Sequence, residues 1–114
     1  MSEFARHLED VLRRFGPIEI RRMFGGHGVF RDGLMFGLIY RDALYLKADA
    51  GNVAHFKKRA LAQFEYLRKG RTARLSYYLA PDEALEGGTE AALWAQRSYE
   101  AALRSDAGGR RKRT

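Results

Sequence analysis

Three chain reversals follow one another in the first half of the sequence, and they restrict the fold more than any other feature. The glycine segment "GGHG" (Gly25 to Gly28) separates the alternating stretch "IEIRRM" from "GVF". Asp32-Gly33, a dipeptide suited to a two-residue hairpin turn, separates "GVF" from "LMFGLIY". Arg41-Asp42 marks a tight turn into "ALYLKA". Four strand-like segments in succession, with no helix-length segment between them, predict antiparallel neighbours rather than strand–helix–strand units. The stretch "LMFGLIY" is apolar at every position but the glycine, so it reads as a central strand covered on both faces.

Helical periodicity brackets this run. Phe4, Leu8, Val11, Leu12 and Phe15 form one apolar stripe opposed by Arg6, Glu9, Asp10 and Arg13, with Ser2 as a cap and Gly16-Pro17 as the stop. Asp49 is the expected cap of a second helix carrying Val53, Phe56, Ala60 and Leu61. "FEYLRKGRTARLSYY" predicts a second hairpin turning at Lys69-Gly70. Pro81 opens a short helical turn, Gly87-Gly88 breaks it, and Thr89 is the expected cap of a last helix with the stripe Ala91, Trp94, Ala95, Tyr99 and Ala102. The predicted order is α-β-β-β-β-α-β-β-α-α. It describes an α+β, two-layer sandwich: a mostly antiparallel sheet with helices packed on it. A folded domain is expected over residues 1–105, with a basic flexible tail over 106–114. One layer of helices covers one side of a sheet, so a second copy of the chain is a candidate to cover the other side of "LMFGLIY".

Composition narrows the chemistry. There is no cysteine among the 114 residues, which removes disulfides, thiol nucleophiles and Cys-based zinc sites. His7, His27 and His55 are far apart and fit no two-histidine zinc motif, so neither metal nor cofactor is expected. On the helical wheel His7 reads as a packing residue and His55 as a solvated one. The charged start "MSEFARHLED" is unlike a signal peptide, and no apolar run approaches the ~20 residues of a membrane helix, which points to the cytoplasm. The net charge is +7, and Arg110, Arg111, Lys112 and Arg113 supply +4 of it, leaving the rest of the chain at +3.

The glycine segment leads into a strand. A phosphate-cradling loop aims its amides from a helix N-terminus, and none follows here. Gly25, Gly26 and Gly28 therefore read as a bend between antiparallel strands. Arg21 and Arg22 alternate to opposite faces, and Arg21 has Glu19 as its expected ion-pair partner. Arg22 shares the side of Ile18 and Ile20, where it needs an acceptor or a route to water. Arg21, Arg22, Phe24, Gly25, Gly26 and His27 are the candidate partner-binding residues. Arg68, Lys69 and Arg71 at the second hairpin tip, with Arg110, Arg111, Lys112 and Arg113, are the candidate nucleic-acid contacts of an alternative, salt-sensitive reading.

"RRMFGGHGVFRDGLMFGLIYRDALYLKAD", then "FEYLRKGRTARLSYYLAPDEALE" and a closing Trp-bearing helix, resemble the N-terminal domain of the TfoX/Sxy family from helix one to about Leu103. The resemblance implies a fold similar to secretion chaperone-like domains. It also implies a non-enzymatic role as a co-regulator of transcription in bacterial natural competence, exercised through a protein partner such as the transcription machinery. His27 stands where that family usually has an aromatic, typically tyrosine. The family's full-length members carry a second, C-terminal domain, where this sequence ends in "SDAGGRRKRT".

Overall fold

A computed structural model describes residues 3–23 and 25–112, with side chains through 107. The Ser2 cap, Phe24 and Arg113 lie outside the described residues. Helix α1 (Glu3–Val11) leads into four strands, β1 (Glu19–Met23), β2 (Gly26–Arg31), β3 (Leu34–Tyr40) and β4 (Ala43–Lys47). A short helix α2 (Val53–Lys57) precedes β5 (Gln63–Arg68) and β6 (Arg71–Leu79). A 3-10 turn (Asp82–Leu85) and the long helix α3 (Gly88–Lys112) complete the fold. The strands form one six-stranded sheet in the order β1-β2-β3-β4-β6-β5, with every neighbouring pair antiparallel. The α+β class and the predicted element order both hold.

The turns follow the dipeptides that marked them. Asp32 and Gly33 have φ of 50° and 80°, and Lys69 and Gly70 have 52° and 77°. Both central residues are thus left-handed, as a two-residue hairpin matching strand twist requires. Arg41 and Asp42 hold φ of 50° and 58° without a glycine.

The main core lies between the sheet and the helices. Ala5, Leu8 and Val11 of α1, with Leu12 and Phe15 of the turn after it, meet Val29, Phe36, Ile39, Leu44 and Leu46 from the sheet and Phe56 from α2. α3 contributes Ala91, Trp94, Ala95 and Ala102, while Tyr99 packs at the rim. Small residues along α3 let its axis approach β3 closely. Three arginine contacts, two of them ion pairs, fasten the outer elements. Arg59 of the loop after α2 pairs with Glu83 of the 3-10 turn and lies over Trp94. Arg104 of α3 reaches Asp49 at 2.6 Å. The Arg31 guanidinium donates to the Phe15 carbonyl at 2.9 Å and covers the rings of Phe15 and Tyr99.

Five local expectations change. Asp49 does not cap α2: Asn52 occupies the N-cap position, buried, donating to the Lys47 carbonyl and accepting the Asp49 amide. Asp49 instead accepts the Gly51 amide and the Arg104 guanidinium. Thr89 sits within the first turn of α3, where its hydroxyl accepts from Arg14 at 3.0 Å. His7 is exposed on α1, not packed, and His55 is half-buried edge-on to Trp94 at 6.2 Å rather than solvated. α3 continues through Gly108-Gly109 to Lys112, so the helix extends into the segment read as a tail.

Candidate functional site

The face of the sheet turned away from the helices carries its own apolar cluster. Its origin is a bulge. β2 and β3 pair in register from His27–Ile39 to Val29–Gly37, then shift at Val29/Phe30 so that Phe30 faces Met35. The extra residue lets Phe36 and Ile39 enter the main core while Met35, Leu38 and Tyr40 point to the opposite face. The two-faced reading of "LMFGLIY" is thereby explained.

The sheet order then gathers aromatics from distant sequence. Lys47 of β4 pairs with Tyr77 of β6, and Tyr45 pairs with Leu79, which brings both tyrosines beside Leu38. β5 adds Phe64 and Tyr66 at the edge. Phe64 is the hub: Tyr40 and Tyr45 meet it edge-on at 5.4 and 4.9 Å between ring centres, and Tyr66 stacks at 5.9 Å. Burial pushes the Tyr77 hydroxyl up to about 12.

A groove of about 660 Å³ opens over this cluster. Met35, Leu38 and Tyr40 line one side, and Phe64, Tyr66 and Leu75 the other. Leu67 also lines it and is 77% exposed, the most exposed large apolar side chain among the described residues. Arg41 and Glu65 supply its charge, with Glu65 paired to Arg74 at 3.1 Å. The lining is mostly aliphatic and aromatic, a surface suited to apolar groups. Among the described residues, no three His, Asp or Glu side chains lie together in a way that could hold a metal ion.

The residues singled out in the sequence lie elsewhere. Gly25 has φ of 74° and sits in the turn between β1 and β2. Gly26 lies so close to β3 that a Cβ there would stand 2.2 Å from the Ile39 carbonyl oxygen. Gly28 lies under Met23, Phe30 and Met35. The segment is thus the bend the sequence implied. Arg21 donates twice to Glu19, at 3.0 and 3.1 Å, and covers the Phe30 ring. Arg22 is exposed on the edge strand and pairs in register with half-buried His27. By register, Arg22 and His27 share the helix-side face with Ile39, whereas Arg21 shares the open face with Gly28 and Leu38. These residues do not converge on one patch, and His27 does not line the groove.

Arg68 and Arg71 face one another across the β5–β6 hairpin with Lys69 in its turn, all exposed. Arg110, Arg111 and Lys112 lie on the last turns of α3. Period-2 reading missed the groove itself, although Phe64 and Tyr66, and Leu75 and Tyr77, alternate as one face requires. Their convergence on Leu38 follows from β6 pairing with β4, which is a tertiary fact.

Comparison with known proteins agrees with this architecture. Residues 10–102 match the TfoX N-terminal domain. The DNA transformation protein TfoX1 of Aliivibrio fischeri is 27% identical over 78 residues, which cover 68% of this chain and 37% of that protein. Protein Sxy of Escherichia coli is 25% identical over 96 residues, covering 84% of this chain and 46% of Sxy. The chain therefore spans less than half the length of these relatives. A match over most of the sequence, on a fold whose strands, bulge and turns fall where the motifs require, shows that the chain belongs to the TfoX N-terminal domain family.

Proposed function

We propose that this chain is a non-catalytic, cytoplasmic regulatory domain that acts by binding a protein partner in the groove on its open sheet face. The observation that carries the reading is the groove: an apolar, aromatic-walled hollow of about 660 Å³. Monomeric proteins seldom leave such a surface without a binding role. The name of one relative, DNA transformation protein, supports a role in regulation of DNA uptake, and the partner class we propose is a transcription component. A photo-reactive amino acid at Leu67 tests it in living cells. The expected result is a defined protein adduct that is absent when the reactive group is moved to Arg6 on exposed α1. Equal labelling from both positions overturns the reading.

A second reading, nucleic-acid attraction, is favoured by one feature: Arg68 and Arg71 stand directly opposite each other, a like-charge pair that an anion would relieve. Titration of labelled duplex DNA should then show affinity falling steeply with salt and lost in the Arg68→Glu/Arg71→Glu variant. Salt-independent or unchanged binding sinks it.

A further inference from the structure

We infer that the occupant of the groove is an amphipathic helix of the partner, apolar along one side and acidic along its flanks. This inference rests on the groove being a protein-contact site. Three observations select that occupant. The first is charge. Register places Arg21, Lys47, Arg68 and Arg71 on the open face with one carboxylate, Glu19, which Arg21 already engages. The groove wall adds Arg41 and one further carboxylate, Glu65, which Arg74 already engages. The surface around an apolar trough is therefore basic, and it complements a segment with Asp and Glu beside its apolar stripe. A second copy of this chain would bring the same cations against these and is disfavoured.

The second observation is the state of the rings. A platform for single-stranded nucleic acid offers free aromatic faces on which bases stack. Here the faces and edges are largely taken. Phe64 is engaged by Tyr40, Tyr45 and Tyr66, while Arg41 lies over Tyr40 and Lys47 over Tyr77, each at 5.2 Å. Aliphatic groups need no free π-face, and Met35, Leu67 and Leu75 offer them contact area.

The third is width. The groove has β3 on one wall and β6 and β5 on the other, and in the sheet order β3-β4-β6-β5 the outer strands lie three spacings of about 4.8 Å apart, or roughly 14 Å. One α-helix with its side chains is about 10–12 Å across, so a single helix fills the trough. Apolar anchors at i, i+3 or i+4, and i+7 would enter between Leu38 and Leu75, while carboxylates on the flanks would meet Arg41 on one side and Arg68 and Arg71 on the other.

The experiment is selection of a displayed library of random peptides, each about 16 residues or roughly four helical turns, against the full chain. Expected winners carry the i, i+3/i+4, i+7 apolar spacing with Asp or Glu between, and they shift the amide resonances of Tyr40, Phe64, Tyr66 and Leu75. Leu67→Glu and, separately, Arg68→Glu/Arg71→Glu should each weaken them at least tenfold; all three positions are exposed, so these variants fold. Acidic winners without the spacing and indifferent to Leu67→Glu would reveal bulk charge attraction and overturn the inference. Basic winners, or displacement by a single-stranded oligonucleotide from the same resonances, would overturn it too. If no helix is selected while the Leu67 cross-link in cells persists, the occupant is wrong and the protein-contact reading stands. Loss of both removes that reading as well.

Discussion

Gly25 and Gly26 are adjacent glycines with different physical roles, and substitution separates them. Gly25 is in open space but at φ of 74°, so alanine there pays only the left-handed penalty, about 1 kcal/mol. Gly26 faces β3 so closely that an added methyl would meet the Ile39 carbonyl, which is backbone and cannot swing aside. Gly26→Ala should therefore lose about 3 kcal/mol, at the upper end of overpacking costs, read from the urea midpoint. Equal losses at both sites would show that close approach is not what Gly26 provides. The sequence announced this bend because glycine clusters have few other uses between strands. It did not announce Ser98. That residue is fully buried on α3, and its hydroxyl has no hydrogen-bond partner among the described residues. A stripe drawn from apolar residues passes over a serine, although Trp94, Ala95, Ser98 and Ala102 share one side of the helix. Ser98→Ala removes an unsatisfied buried group and should raise stability by about 1 kcal/mol in thermal melts. A clear loss would reveal a bond to that hydroxyl.

At the scale of elements, the short loop between β4 and α2 shows how a cap is displaced by a tertiary partner. Asp49 has the sequence position of a capping residue, yet α3 brings Arg104 against it and Asn52 takes the cap. Arg104 and then the Gly51 amide favour the charged carboxylate and hold it below its usual range. A folded-state value below the unfolded one means that the link stabilises above the ordinary carboxylate pKa and fades as pH falls through the lower, folded value. Asp49→Asn should thus cost at most about 1 kcal/mol at neutral pH, because the pair is partly exposed. The gap between wild type and variant should close below about pH 4. A gap that stays constant into acid would assign the effect to packing rather than to the carboxylate's charge. This pairing was illegible in the sequence because its partners are 55 residues apart. The hairpin turns were legible because each is written in two adjacent residues. The aromatic cluster lies between these cases: its alternation is local, but β6 joins β4 rather than β5 alone, and only that pairing sets Tyr77 beside Tyr45 and Leu38. For the same reason the sequence pointed to the hairpin mouth at Arg22 and His27, while the groove formed on the other face.

In the whole molecule one sheet supports two apolar clusters of unequal protection. The first is sealed by helices. The second is closed by its own strands and the groove above them, so that Leu38 is 4% exposed within a single chain. The coverage that the sequence left to a second copy is thus partly supplied from within. Tyr77 reports on this second cluster. Its hydroxyl is raised from 10.0 to about 12 by burial, which opposes the phenolate. A folded value above the unfolded one means that the neutral hydroxyl's contribution is intact below pH 10 and is lost as pH rises towards 12. Near-ultraviolet absorbance should accordingly show one phenolate appearing late, together with loss of the folded signal. Tyr77→Phe keeps the ring in the cluster and removes the ionisable group. It should match wild type at neutral pH and then become progressively the more stable protein above pH 10, where the wild-type chain gains stability on opening by ionising Tyr77. If the two proteins instead lose structure in parallel across that range, Tyr77 is not desolvated and the open-face cluster is looser than its ring contacts imply.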